Sequence, residues 1–225
     1  MTRGFCRRFA VALATALMAM CAGSSVAWAD SLDTLSQFLQ STRSGRADFI
    51  QTVSMPPREG QAVRSKVSSG QFAFLRPARF RFDYQRPFPQ TLVGDGTTLW
   101  VYDVDLAQVT ARSQDKTLSA TPVAVIAAAT DLIALQREFS LQAQPDQEGL
   151  QWVLATPRSR EAAVQSLRVG LKVQAQGVSL ERLEIMDAMG QRSLLQFARF
   201  EINPSGLGAG AFQFTPPPKV EVLRP

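Results

Sequence analysis

Residues 80–84 read Phe80-Arg81-Phe82-Asp83-Tyr84, apolar and polar in strict alternation. Successive side chains of a strand leave opposite faces, so this stretch is a strand with one buried face and one wet face. Working outward, similar runs occur at Phe49 to Val53, Gln71 to Leu75, Thr91 to Val93 and Leu99 to Tyr102. Turn residues divide them, and Asp95-Gly96 is a strong hairpin signal. An antiparallel meander is predicted. Strands are predicted again at Phe139 to Gln142, Leu150 to Ala155, Val164 to Val173, Val178 to Met186 and Ser193 to Ile202, with Gly149, Gly177 and Gly190 at or near the turns.

Two segments break this period. From Ser31, Leu32, Leu35, Phe38 and Leu39 recur at helical spacing, with Asp33 in the first turn and Gly45 as the predicted stop. Thr121-Pro122 is a capping residue followed by proline at the first helical position, and it leads into Val123, Val125, Ile126, Ala129, Leu132, Ile133 and Leu135. This predicts a second helix, or a pair split near Thr130. Pro122 to Ala129 carries no charge, whereas an exposed helix shows a polar face, so this one covers something apolar. The order helix, strands, apolar helix, strands gives an α+β, β-dominant fold: a curved sheet whose concave face is capped by helices.

Arg3, Arg7 and Arg8 precede an apolar run from Phe9 to Cys21 and a small-residue site at Ala27-Trp28-Ala29, the pattern of a secretory signal cleaved between Ala29 and Asp30. No later segment approaches the roughly 20 continuous apolar residues that spanning a bilayer needs. The expected organisation is a signal over 1–29 and one domain over 30–225. Three of the 24 basic residues and none of the 19 acids lie in the signal, which leaves 21 against 19, a net charge of +2. The basic residues are scattered and no RNA- or DNA-binding signature accompanies them, so nucleic acid is not the expected partner. Both cysteines, Cys6 and Cys21, fall inside the signal, so the exported chain relies on its core and not on disulfides. Met20 stands before Cys21 where a lipid-modified cysteine has a small residue, which favours cleavage at Ala29 over lipidation.

The chain has no histidine, and none of its cysteines lies past the signal, which removes Ser-His-Asp and Cys-His catalysis and the usual soft metal sites. Asp95, Asp103 and Asp105 cluster in sequence, but Asp95 precedes Gly96 in a tight turn and the other two sit at a strand end, which is turn chemistry. Gly94-Asp95-Gly96 is a hairpin tip and not a phosphate cradle, because a strand and not a helix follows it. No catalytic residue, metal or cofactor is assigned.

Gly70-Gln71-Phe72-Ala73-Phe74-Leu75-Arg76-Pro77-Ala78-Arg79-Phe80 and Leu92-Val93-Gly94-Asp95-Gly96-Thr97-Thr98-Leu99-Trp100-Val101-Tyr102 together resemble the periplasmic outer-membrane lipoprotein carriers of the LolA family. The resemblance extends to Ala47-Asp48-Phe49-Ile50-Gln51-Thr52-Val53, Gln108-Val109-Thr110, the Thr121-Pro122 helix and Phe212-Gln213-Phe214-Thr215-Pro216-Pro217. It departs from the family at Val104, where proline is frequent, and at Ala107, where glutamate is frequent. The ending is short beyond Val222, so an extra C-terminal strand is not expected.

The resemblance implies an incomplete antiparallel β-barrel with a helical lid over an apolar cavity. It implies a monomeric, non-enzymatic periplasmic carrier that accepts triacylated lipoproteins from an inner-membrane ABC transporter and passes them to the outer-membrane acceptor LolB. Arg76 matches the family arginine that bonds lid carbonyls and keeps the empty cavity closed, and Phe80 matches an aromatic at the mouth that serves cargo entry. Phe72, Phe74, Phe82, Leu92, Leu99, Trp100, Val125, Ile126 and Leu132 are candidates for the cavity wall and lid. The alternative is a periplasmic carrier or sensor of another acyl lipid or glycolipid on the same fold.

Overall fold

The computed structural model describes residues 30–56, 62–114, 126, 129–159 and 162–224. The signal with Ala29, the Thr121-Pro122 helix start and Val125 lie outside the described residues. Helix α1 (Asp30–Ser41) is followed by β1 (Ser44–Ser54), β2 (Ser65–Leu75), β3 (Arg79–Arg86), β4 (Gln90–Gly94), β5 (Thr98–Asp103) and β6 (Gln108–Ser113). Helix α2 (Leu132–Glu138) then precedes β7 (Phe139–Gln147), β8 (Leu150–Pro157), β9 (Val164–Gln174), β10 (Gly177–Asp187) and β11 (Arg192–Ile202). A 3-10 turn (Ala209–Phe212) and β12 (Glu221–Leu223) complete the order.

All twelve strands form one sheet in the order β12-β6-β5-β4-β3-β2-β1-β11-β10-β9-β8-β7. Two meanders are thus joined where β1 and β11 pair antiparallel, and the sheet stays unclosed, with β12 and β7 at its edges. The only parallel pair among the described strands is β12 on β6, with Val222 opposite Val109. This short C-terminal strand corrects the sequence expectation that none would be present: three residues suffice when the edge of β6 is open to receive them.

The strand cores fall where alternation places them, and several strands run longer than their apolar stretch. Hydrogen bonds to a neighbour carry a strand past its last apolar side chain, so β2 starts at Ser65 and not at Gln71. Gly45 does not stop the first helix. Helix α1 ends at Ser41, and Gly45 lies inside β1, where a Cβ would come within 2.5 Å of the Phe74 ring. Its lack of a side chain serves close packing. Asp131 caps α2 by accepting from the Ala134 amide at 2.8 Å, which puts the helix start beside the predicted split at Thr130.

Phe38, Leu35 and Leu39 of α1 are buried against the sheet, with the Phe38 ring 6.2 Å from Phe74 and 6.3 Å from Phe200. This helix-covered surface is the inner face. The outer face of β4 to β6 has a smaller core of its own: Val93, Val109 and Ala111 are buried, the turn carrying the buried Phe212 lies against neighbouring β3, and the Trp100 ring lies 5.6 Å from Phe214. The C-terminal segment therefore makes both faces of this half of the sheet apolar.

Candidate functional site

The inner face is walled by phenylalanine because β2 and β3 place aromatic residues at alternate positions, with Phe49 of β1 and Phe197 of β11 beside them. Phe72 sits 4.5 Å from Phe82, 5.4 Å from Phe197 and 5.8 Å from Phe74, ring centre to ring centre. Phe49 meets Phe82 edge-on at 5.3 Å and Tyr84 at 5.0 Å. Leu99 is buried in the same cluster, and Leu92 packs against it half-buried. The register aligns them: Phe72 faces Phe82, Phe82 faces Leu92, and Phe80 faces Gly94, which faces Leu99.

Gly70 lets the backbones of β2 and β3 approach closely. It lies between Phe49 and Tyr84 in the cross-strand row, and a Cβ there would stand 1.9 Å from the Asp83 carbonyl oxygen.

Arg76 follows β2 and sits at the roof. Its Nε donates to the Thr42 carbonyl at 2.9 Å, and its Nη1 donates to the Ile126 carbonyl at 2.6 Å and to the Ala129 carbonyl. The guanidinium carbon lies 5.2 Å from the Phe38 ring and 5.0 Å from that of Phe74. One side chain therefore ties the end of α1 to Ile126 and Ala129, ahead of α2, beside the Phe38 and Phe74 rings. Burial pulls its pKa down to about 10, so the charge persists at neutral pH. Ile126 is buried in the inner core, and Leu132 packs against it half-buried.

Phe80 is buried at 1 % exposure beneath this roof, so in this state it is wall and not rim. Trp100 stands apart from the wall. It faces Val93 and Ala111 on the outer face, and its Nε1 donates to Asp95 Oδ2 at 2.9 Å. Asp95 also receives the Thr97 and Thr98 amides at 2.9 and 2.7 Å, the turn role its position before Gly96 suggested.

Sequence reasoning missed Gln114. It is buried, donates to the Ala78 carbonyl at 2.6 Å and accepts from the Gly96 amide at 3.0 Å, tying the chain beyond β6 to the turn that carries Arg76. A glutamine after a strand carries no local signal of this. Two crevices lie beside the packed rings and not among them. One of about 390 Å³ borders Arg46, Phe200 and Glu201, and one of about 750 Å³ borders Met55, Val63, Arg168 and Leu194. The wall itself is packed ring on ring, so a guest on the inner face must displace rings or lift the roof. Among the described residues no three His, Cys, Asp or Glu side chains could hold a metal ion.

Comparison with known proteins agrees with this geometry. An outer-membrane lipoprotein carrier protein of Albidiferax ferrireducens is 51% identical over 209 residues, covering 93% of this chain and 98% of the relative. One from Methylibium petroleiphilum is 44% identical, covering 92% and 96%. A solved DUF1329 family protein from Desulfovibrio piger shares the fold at a TM-score of 0.50 and 10% identity, covering 83% of this chain and 96% of that one. Residues 40–215 match the family described as outer membrane lipoprotein carrier protein LolA. An unclosed barrel walled by phenylalanine and roofed through one arginine thus comes with a whole-chain kinship, and the chain belongs to the LolA family of outer-membrane lipoprotein carrier proteins.

Proposed function

We propose that residues 1–29 are removed on export and that residues 30–225 act as a monomeric, non-enzymatic periplasmic carrier. It takes triacylated lipoproteins from an inner-membrane ABC transporter and hands them to LolB. The observation that carries this reading is the inner wall of Phe49, Phe72, Phe74 and Phe82 beneath a roof held by Arg76. Such a wall offers acyl chains apolar surface and no charge.

The need for shielding is large. Each buried methylene is worth about 0.8 kcal/mol, and three acyl chains hold on the order of 40 of them, so unaided passage through water is barred. A carrier must also let go. A roof tied by a few hydrogen bonds can open and shut, whereas a rigid complementary pocket would retain its guest. Arg76 is the catch of that roof. Phe80, buried in the closed state, becomes reachable for cargo entry when the roof lifts.

The test is to mix residues 30–225 with a synthetic triacylated lipopeptide and with its unacylated counterpart, then separate them by size. The acylated peptide should travel with the protein at one to one and the unacylated peptide should not. Equal behaviour of the two peptides overturns the reading.

A further inference from the structure

The aromatic inner wall carries one polar chain. Tyr84 Oη donates to Gln51 Oε1 at 2.9 Å, and Gln51 Nε2 donates to Ser193 Oγ at 2.7 Å. The three side chains come from β3, β1 and β11. Each sits two residues past a buried apolar neighbour on its own strand: Tyr84 past Phe82, Gln51 past Phe49, and Ser193 past Leu195. At all three positions burial fades from complete to partial. The chain therefore marks the line on the inner face where dry wall gives way to water.

Packing alone does not call for polar groups here. Phenylalanine and leucine would continue the wall, and half-buried amides and hydroxyls gain only modestly from pairing with one another. Their unused capacity is specific. Ser193 accepts from Gln51 and keeps its own hydroxyl proton, and the Gln51 amide has a second N–H. Tyr84, by holding Oε1, fixes the amide so that its nitrogen faces Ser193. These are neutral donors at the rim of an apolar wall; Arg168, paired with Glu184, and Arg192 border the crevice beside Ser193 but make no bond to the three. They suit a carbonyl oxygen better than a phosphate, which takes arginine or lysine.

We propose that Gln51 and Ser193, positioned by Tyr84, bind the ester and amide carbonyls where acyl chains join their head group, and so set how deep the chains sink. This rests on the carrier reading and deepens it. The hydrocarbon supplies most of the affinity, and the polar rim supplies the register of the guest.

Three probes test it on residues 30–225: a triacylated lipopeptide, dipalmitoylglycerol, and a pyrene-labelled long alkane without a polar head. For Tyr84→Phe and Ser193→Ala, the affinity for a headed probe relative to the alkane should fall about fivefold to tenfold, the weight of one hydrogen bond. A fall shared by lipopeptide and diacylglycerol assigns the ester carbonyls, and a fall confined to the lipopeptide assigns the amide. An unchanged ratio in both variants overturns the proposal while leaving the carrier reading intact. If the wild type binds none of the probes, both fall. Urea midpoints of the variants show whether the fold persists.

Discussion

Replacing Arg76 by leucine removes the tie between the roof and the barrel, and the structure sets the size of the effect. The guanidinium donates to the Ile126 and Ala129 carbonyls ahead of α2 and to Thr42 at the end of α1. Hydrogen bonds from a charged donor contribute about 1.5 to 3 kcal/mol each, so the two to Ile126 and Ala129 supply about 3 to 6 kcal/mol. Burying the charge offsets this: a pKa drawn down to about 10 corresponds to about 3 kcal/mol. Up to about 3 kcal/mol remains in favour of the closed roof, at most roughly a 150-fold ratio. Closure lowers apparent affinity by the fraction of molecules that are open, so Arg76→Leu should bind a fluorescent acyl probe more tightly, by up to that factor. It should also hand cargo on more slowly, because nothing drives the roof shut. Titration with the probe, followed by transfer to LolB, measures both. Wild-type affinity together with normal delivery would refute the reasoning.

Other outcomes follow from the same geometry. Gly70→Ala should cost several kcal/mol in urea unfolding, since its Cβ would meet the Asp83 carbonyl oxygen at 1.9 Å and backbone cannot yield cheaply. Trp100→Ala should lower stability by roughly 2 kcal/mol through the outer core and leave acyl-probe affinity alone, whereas Phe82→Asn should impair probe binding. Probe affinity should be flat from pH 6 to 9, because the chain has no histidine and Arg76 stays charged below about 10. A titration step inside that window would contradict this. Burial works to raise the pKa of Asp95, but the bonds from Thr98, Trp100 and Thr97 outweigh it and hold the carboxyl below its usual value. With a folded pKa below the unfolded one, its stabilisation is full above the ordinary carboxylate range and is lost as pH falls through the folded value. Asp95→Asn should therefore flatten acid unfolding in that range.

The alternation at Phe80 to Tyr84 was enough to read the sheet, because a half-buried strand prints its two faces directly into sequence. That Phe72, Phe74, Phe82, Leu92 and Leu99, candidates as a group, share one face follows from the register between strands. Alternation puts Trp100 on the opposite face from Leu99, yet Leu99-Trp100-Val101-Tyr102 is apolar throughout and hides its own period. Phe214, which packs on Trp100, and the turn carrying Phe212 lie more than a hundred residues away, and nothing local announces them. Gly45 misled for a related reason. Glycine after a helical run suggests a stop, but here it clears space for Phe74 and Phe200, which only the tertiary fold brings near. The polar chain of Tyr84, Gln51 and Ser193 and the ties made by Gln114 depend on strand register across long separations, which composition and spacing do not encode. The role of Arg76 entered through family resemblance, since an arginine before a turn reads locally as surface.

The most direct test of the central claim is to add residues 30–225 to spheroplasts making a labelled outer-membrane lipoprotein and to look for a soluble complex in the medium. Release of the lipoprotein bound to the protein is the predicted result, with Arg76→Leu retaining the cargo when LolB is supplied. Lipoprotein that stays in the membrane while the protein emerges empty, or loaded with another lipid, would contradict the account.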